Sequence, residues 1–166
     1  MPGTFAVRLA TVADIGVIAR HRAEMFSDMG QLPVALYPDL VTCTVEYLQA
    51  AIPAGEYVGW LTAPDNDSAT IVAGAGVQHR RVLPHPLPRR EPSRIAYGRQ
   101  AIVLNVFTER AWRRRGLAAL LMQHVLDWAR RESLDTLVLH ASDDGRALYE
   151  KLGFVQTNEM RYAQPL

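Results

Sequence analysis

Between Ala96 and His140 the sequence reads as strand, arginine-rich turn, helix and strand, and this succession narrows the possible folds more than any other feature. The centre of Ala96–Thr108 holds Ile102, Val103, Leu104 and Val106, an almost unbroken apolar run that implies burial on both faces of a sheet. Gly116–Arg131 puts Leu117, Leu120, Leu121, His124, Val125 and Trp128 on one helical face. Arg130 and Arg131 fall in its last turn, where positive charge suits the helix dipole. Thr136–His140 is a short apolar strand, so the unit predicts a parallel crossover.

The flanking segments add antiparallel pieces. Phe5–Leu9 alternates like a strand, and Thr11-Val-Ala-Asp14 has the spacing of a capping box. Ile15, Ile18, Ala19, Arg22, Met25, Phe26 and Met29 then recur at helical spacing until Gly30, and Pro33 and Pro38 mark a connection. A second helix is predicted over Asp39–Ala51. Strands over Tyr57–Ala63 and Ala69–Val82, joined by the turn-rich Pro64–Ser68, form a hairpin. Pro84, Pro86, Pro88 and Pro92 make 84–94 an exposed loop. A helix over Asp143–Leu152, with Ala147, Leu148 and Leu152 inward, stops at Gly153, and Phe154–Tyr162 is a final strand. The expected fold is α/β of the mixed α+β kind: a mostly antiparallel sheet with one parallel step and four helices on its faces.

Composition sets the outer limits. A chain of 166 residues with 49% hydrophobic and 21% charged residues suits one folded domain over 1–166. No apolar run approaches the ~20 residues of a membrane helix, and Met1–Ala10 lacks the pattern of a secretory signal. The one cysteine, Cys43, forms neither an internal disulfide nor a thiolate metal cluster and is expected to be a small core residue. The reading is a cytoplasmic protein with no metal and no membrane partner. Arginine supplies all the basic residues except Lys151, which we read as genome base composition, and a net charge of +1 argues against a general nucleic-acid binder. His79, Arg80, Arg81, Arg89, Arg90, Arg94 and Arg99 face only Glu91 in charge. They read as a solvated proline-rich loop, or else as a contact for an acidic substrate or a nucleotide. Trp60, Trp112 and Trp128 are scattered and form no base-stacking platform.

The chemistry concentrates in Arg113-Arg-Arg-Gly-Leu-Ala118. A helix start leaves backbone amides unpaired and carries partial positive charge, so it attracts phosphate. Gly116 removes a side chain where an anion would approach, and the arginines add charge. No Gly-Lys-Ser/Thr follows, so this is not a Walker loop.

Arg113-x-x-Gly116-x-Ala118, placed after Leu104–Thr108, resembles the acetyl-CoA signature of the GNAT superfamily of N-acetyltransferases. Ala147-Leu-Tyr-Glu-Lys-Leu-Gly-Phe154 resembles that family's second landmark, at the matching separation of one helix and one strand. The resemblance implies a GNAT-like sheet splayed at the cofactor site. Val106, Phe107 and Thr108 would offer backbone bonds to the pantetheine arm and the acetyl carbonyl. Arg113, Arg114, Arg115, Gly116, Leu117, Ala118 and Ala119 would hold the diphosphate, chiefly through backbone amides. Tyr149 would be the general acid toward the departing thiolate. Ser142 stands where many relatives have Asn, and either caps a helix or touches the cofactor arm. Loop lysine and a proline in 110–112 are absent. The implied reaction is transfer of acetyl from acetyl-CoA to a primary amine of a small molecule or peptide, by direct attack in a ternary complex. Dimers are common among such proteins. A silent CoA-binding or regulatory module of the same fold is the alternative, and a nucleic-acid accessory protein a third reading. The general base stays open among Glu24, His21, Glu109, His140 and water. Polar members of the face His21, Arg22, Glu24, Met25, Phe26 and Met29 are expected to meet the acceptor.

Overall fold

The computed structural model describes residues 4–87 and 92–164. Strand β1 (Phe5–Leu9) delivers the chain to the capping box expected from sequence. Thr11 accepts from the Ala13 amide, while the Thr11 amide donates to Asp14 Oδ2 at 2.8 Å. Asp14 also takes two hydrogen bonds from Arg8, at 2.7 and 2.8 Å, and these hold its carboxyl at a pKa of about 2. The box sets the direction of α1 (Ile15–Asp28). Helix α2 (Tyr37–Ala51) starts two residues earlier than predicted, because Pro38 sits in its first turn, where the missing N–H has no partner to lose.

Strands β2 (Tyr57–Pro64) and β3 (Ala73–Arg81) form the expected antiparallel hairpin. The second strand begins at Ala73 rather than Ala69, since Asp67 folds back and accepts the Thr70 amide. Two further corrections follow along the chain. The proline-rich stretch is more than a loop: β4 (His85–Leu87) pairs antiparallel with β5 (Arg94–Ala96). Gly98 then breaks the long predicted strand, with φ +82° and a position where a Cβ would lie 1.8 Å from the Val82 carbonyl oxygen. Strand β6 therefore runs from Arg99 to Thr108.

Helix α3 (Leu117–Arg131) carries the chain over to β7 (Thr136–Leu139), which pairs parallel with β6, and α4 (Asp143–Lys151) follows. The sheet order is β1-β2-β3-β6-β7. The predicted last strand, Phe154–Tyr162, does not form. The Phe154 amide bonds back to the Tyr149 carbonyl at 3.0 Å, which draws the chain onto α4, and the polar run Gln156–Glu159 interrupts the alternation.

Each face of the sheet has its own core. Trp60, Val77, Val103, Leu121, Met122, Val125 and Trp128 pack between the sheet and α3. Ile15, Ile18, Leu48, Tyr57 and Leu61 pack under α1 and α2. On α3 the buried set includes Met122, while Leu120 and His124 stay half-buried. Cys43 is exposed on α2, and Ala147 is exposed on α4, both against expectation. A helical period gives the faces of a helix, and the neighbours decide which face is covered.

In the basic group, Arg94 reaches the buried Asp135 at 3.3 Å, and Asp135 also accepts the amides of Tyr97 and Arg99 at 2.9 and 3.0 Å. His79 packs edge-on against Trp128. Arg89, Arg90 and Glu91 lie outside the described residues. Replacing Gly98 with Ala is expected to lower stability by about 2 kcal/mol or more, since the left-handed backbone and the backbone clash add; urea unfolding measures it.

Candidate functional site

The site opens where two strands part. β6 and β7 pair from Gln100–Thr136 to Val103–Leu139, and β6 then continues alone on that side to Thr108. On its other side β6 stays paired with β3, but the register slips between Gly74 and Gly76. The slip leaves Asn105 as an extra residue at φ 56°, a conformation asparagine tolerates better than most residues. Val106 and Thr108 are half-buried beside the gap, and Phe107 is buried.

Past Glu109 a short turn, Arg110–Trp112, leads to the arginine segment. Arg114 and Gly116 both take left-handed φ, 61° and 79°. Gly116 is the residue before the first turn of α3, and no side chain caps that end. The first amide there to find a helical acceptor is Leu120, bonded to the Gly116 carbonyl at 3.0 Å. The amides of Leu117, Ala118 and Ala119 thus point out of the helix start without intrahelical partners. A Cβ built on Gly116 meets nothing within 4 Å, so the approach is open. The three arginines are not equivalent. Arg113 donates Nε to the Thr108 carbonyl at 3.0 Å and a second nitrogen to Asp28. Arg115 lies 4.7 Å over the Trp112 ring. Arg114 is exposed, with no side-chain partner among the described residues.

Tyr149 is half-buried on α4, edge-on to Phe154 with ring centroids 6.0 Å apart. Burial raises the pKa of its phenol, and the hydroxyl makes no hydrogen bond among the described residues, so it is a protonated donor at neutral pH. Ser142 caps α4 by accepting the Gly145 amide at 3.2 Å.

Three of the four base candidates converge. A cleft of about 460 Å³ is lined by Arg20, Glu24, Val72, Phe107, Glu109 and Trp112, among others. His21 Nε2 lies 3.1 Å from Glu109 Oε1, and Arg20 pairs with the same oxygen at 2.6 Å. Burial opposes the Glu109 charge, but Arg20 and His21 together lower its pKa. Glu24 accepts from the Tyr37 hydroxyl at 3.0 Å. His140 stands apart, paired with Glu159 at 2.8 Å on the surface. Reading the sequence missed Arg20, Asp28 and Asn105. The only local hint was a polar Asn inside an apolar strand.

Residues 26–154 match the Acetyltransferase (GNAT) family. The chain belongs to this family. Its fold matches a GCN5-related N-acetyltransferase from Ralstonia eutropha JMP134, with TM-score 0.83 and 24% identity over 98% of this chain and 99% of that one. A predicted acetyltransferase from Clostridium acetobutylicum, determined with acetyl-CoA, aligns with TM-score 0.78 and 23% identity over 97% and 96% of the two chains. Glucosamine-6-phosphate N-acetyltransferase from Arabidopsis thaliana gives TM-score 0.65 and 15% identity over 97% and 98%. No curated protein sequence matches the chain. As a GNAT chain it has the expected mixed sheet, mostly antiparallel with one parallel pair, and four helices among the described residues. The GNAT family uses acetyl-CoA. Among the described residues no group of three or more His, Cys, Asp or Glu can hold a metal, and no helix is long and apolar enough to cross a membrane.

His21 gives this site a pH signature. Burial, then Arg20, push its pKa down, against the pull of Glu109, and its Nδ1 is buried without a partner among the described residues. The unfolded imidazole takes up a proton near its ordinary pKa of about 6.5. The folded one resists to lower pH, so protonation favours the unfolded chain and stability falls as pH drops through that value. Urea midpoints are expected to be lower at about pH 5.5 than at about pH 7.5, and His21→Leu should shrink the difference.

Proposed function

We propose that the chain is a single-domain cytoplasmic N-acetyltransferase, which transfers the acetyl group of acetyl-CoA to a primary amine of a small molecule or peptide. The observation that carries this reading is the open, uncapped start of α3 beside the parted strands. The residues fit the group: three outward amides, a left-handed glycine with empty space before it and the exposed Arg114 suit a diphosphate. Val106–Thr108 would bind the pantetheine arm along the unpaired strand edge, and Ser142, its hydroxyl already capping α4, would contribute at most a second bond.

When bound, acetyl-CoA supplies an activated acetyl carbon and a thiol leaving group, so that a new N–C bond forms as the C–S bond breaks. Tyr149, kept protonated by burial, gives its proton to the departing sulfur. The acceptor must shed a proton. His21 is sealed and His140 is remote, so Glu24 and Glu109, the carboxylates of the cleft, are the bases in this reading, directly or through water. Attack is direct, and no residue of the chain is acylated.

CoA and acetyl-CoA should each raise the melting temperature; at ~1,000 times Kd the gain is about 4 kcal/mol. Ala118→Asp places a carboxylate among the free amides. It should keep the fold, since acid suits a helix start, and abolish that shift. No shift in the wild-type protein would overturn the assignment. Tyr149→Phe is expected to cut kcat about 10²-fold while leaving the CoA-induced shift in place. A silent CoA-binding module would show the shift and release no thiol with any amine.

A further inference from the structure

We infer that Arg22 selects the acceptor: the amine carries a carboxylate, which the Arg22 guanidinium grips beside the Asn105 bulge. This deepens the N-acetyltransferase reading above and rests on it.

Among the described residues most cations around this end of the sheet have a carboxylate partner, the exposed Arg114 and Arg115 of the turn excepted. Arg8 is held by Asp14 at 2.7 Å, Arg20 by Glu109 at 2.6 Å, and Arg110 and Arg113 share Asp28. Arg22 is half-buried and pairs with no carboxylate among the described residues. Its partners are neutral. Nη1 donates to Asn105 Oδ1 at 2.7 Å, and the guanidinium lies 5.0 Å from the centre of the Phe26 ring. Asn105 in turn donates Nδ2 to the Tyr57 hydroxyl at 3.2 Å, and burial raises the pKa of that phenol, so it provides no negative charge.

Steric detail fixes this arrangement. A Cβ on Gly76 would lie 2.1 Å from the Tyr57 oxygen, so a bare backbone on β3 is what lets Tyr57 reach Asn105. Asn105 is held left-handed two residues beyond the last β6–β7 pair, where β6 faces the opening. Arg22 is thereby anchored by one nitrogen beside the stretch of β6 that runs on past its pairing with β7.

A guanidinium has five N–H donors in a planar fork. With Nη1 engaged, the Nε–Nη2 edge has no acceptor among the described residues. That edge matches a carboxylate with two parallel hydrogen bonds. A half-buried cation lacking a counter-charge pays desolvation without Coulombic return, and an anionic ligand supplies the missing charge. The acceptor carboxylate is unchanged in the reaction; the N–C bond forms, the C–S bond breaks, and Arg22 only orients the amine.

The test measures thiol release from acetyl-CoA with matched acceptors: free amino acids, their carboxamides, and the amines lacking the carboxyl group. Wild-type kcat/KM should favour the acids by about tenfold or more, mainly through KM. Arg22→Gln should bring the acid-to-carboxamide ratio toward one, and Arg22→Lys should retain part of it, as a point charge without the fork. The CoA-induced thermal shift reports that these variants are folded, and the wild-type ratio decides even if they are not. Carboxamides acetylated as well as acids, or a ratio unmoved in folded Arg22→Gln, would overturn the Arg22 inference and leave the N-acetyltransferase reading standing. No thiol release with any amine would remove both.

Discussion

The separation of β6 from β7 is the constraint on which the rest depends. Two parallel strands that stay paired leave no room for a ligand between them. Here the pairing ends at Val103–Leu139, while β6 runs on to Thr108, braced by β3 on its far side. The extra residue at Asn105 makes this geometry possible, because it lets β6 change twist without losing β3. The gap needs a support on each side. Below it, Tyr57 and Arg22 hold the bulge from the α1 face. Beyond it, the left-handed Gly116 turns the chain into α3 with its amides bare.

Helix α1 ties the two halves of the site together. Its start is set by the Thr11–Asp14 box and the Arg8 clamp. Its middle carries Arg20 and His21 to Glu109, and Arg22 to Asn105. Its last residue, Asp28, takes both Arg110 and Arg113. One helix thus contacts the strand bulge, the cleft carboxylate and the arginine turn in succession. The site is stiff because these contacts share a single rigid element.

Local physics made much of this legible in the sequence. The Thr11–Asp14 box, the α3 apolar stripe, the parallel crossover and the Gly116 helix start each depend on local sequence, and all four appear, the stripe with Met122 buried and Leu120 and His124 only half-buried. The paired motifs around Gly116 and Tyr149 led to the right family. What failed was non-local. Cys43 and Ala147 lie on sides of their helices left uncovered among the described residues. The stretch Phe154–Tyr162 had strand-like residues, but a backbone bond to Tyr149 draws its start onto α4. The turn at Gly98 is dictated by the Val82 carbonyl, sixteen residues upstream. Among site residues, the Arg113–Asp28 contact spans 85 positions, and no spacing rule reaches that far.

That contact also governs how the arginine turn attracts an anion. Because Asp28 engages Arg110 and Arg113 and Arg115 stacks on Trp112, the turn meets an anion at contact chiefly with oriented peptide dipoles, and Arg114 is its exposed, unpaired charge among the described residues. Dissolved ions screen exposed charges over about 8–10 Å but hardly weaken a hydrogen bond made at contact. Attraction from a distance will therefore fade as ionic strength rises, while the grip at close range persists, so the salt concentration of the surroundings should alter how quickly the loop is found more than how firmly it holds.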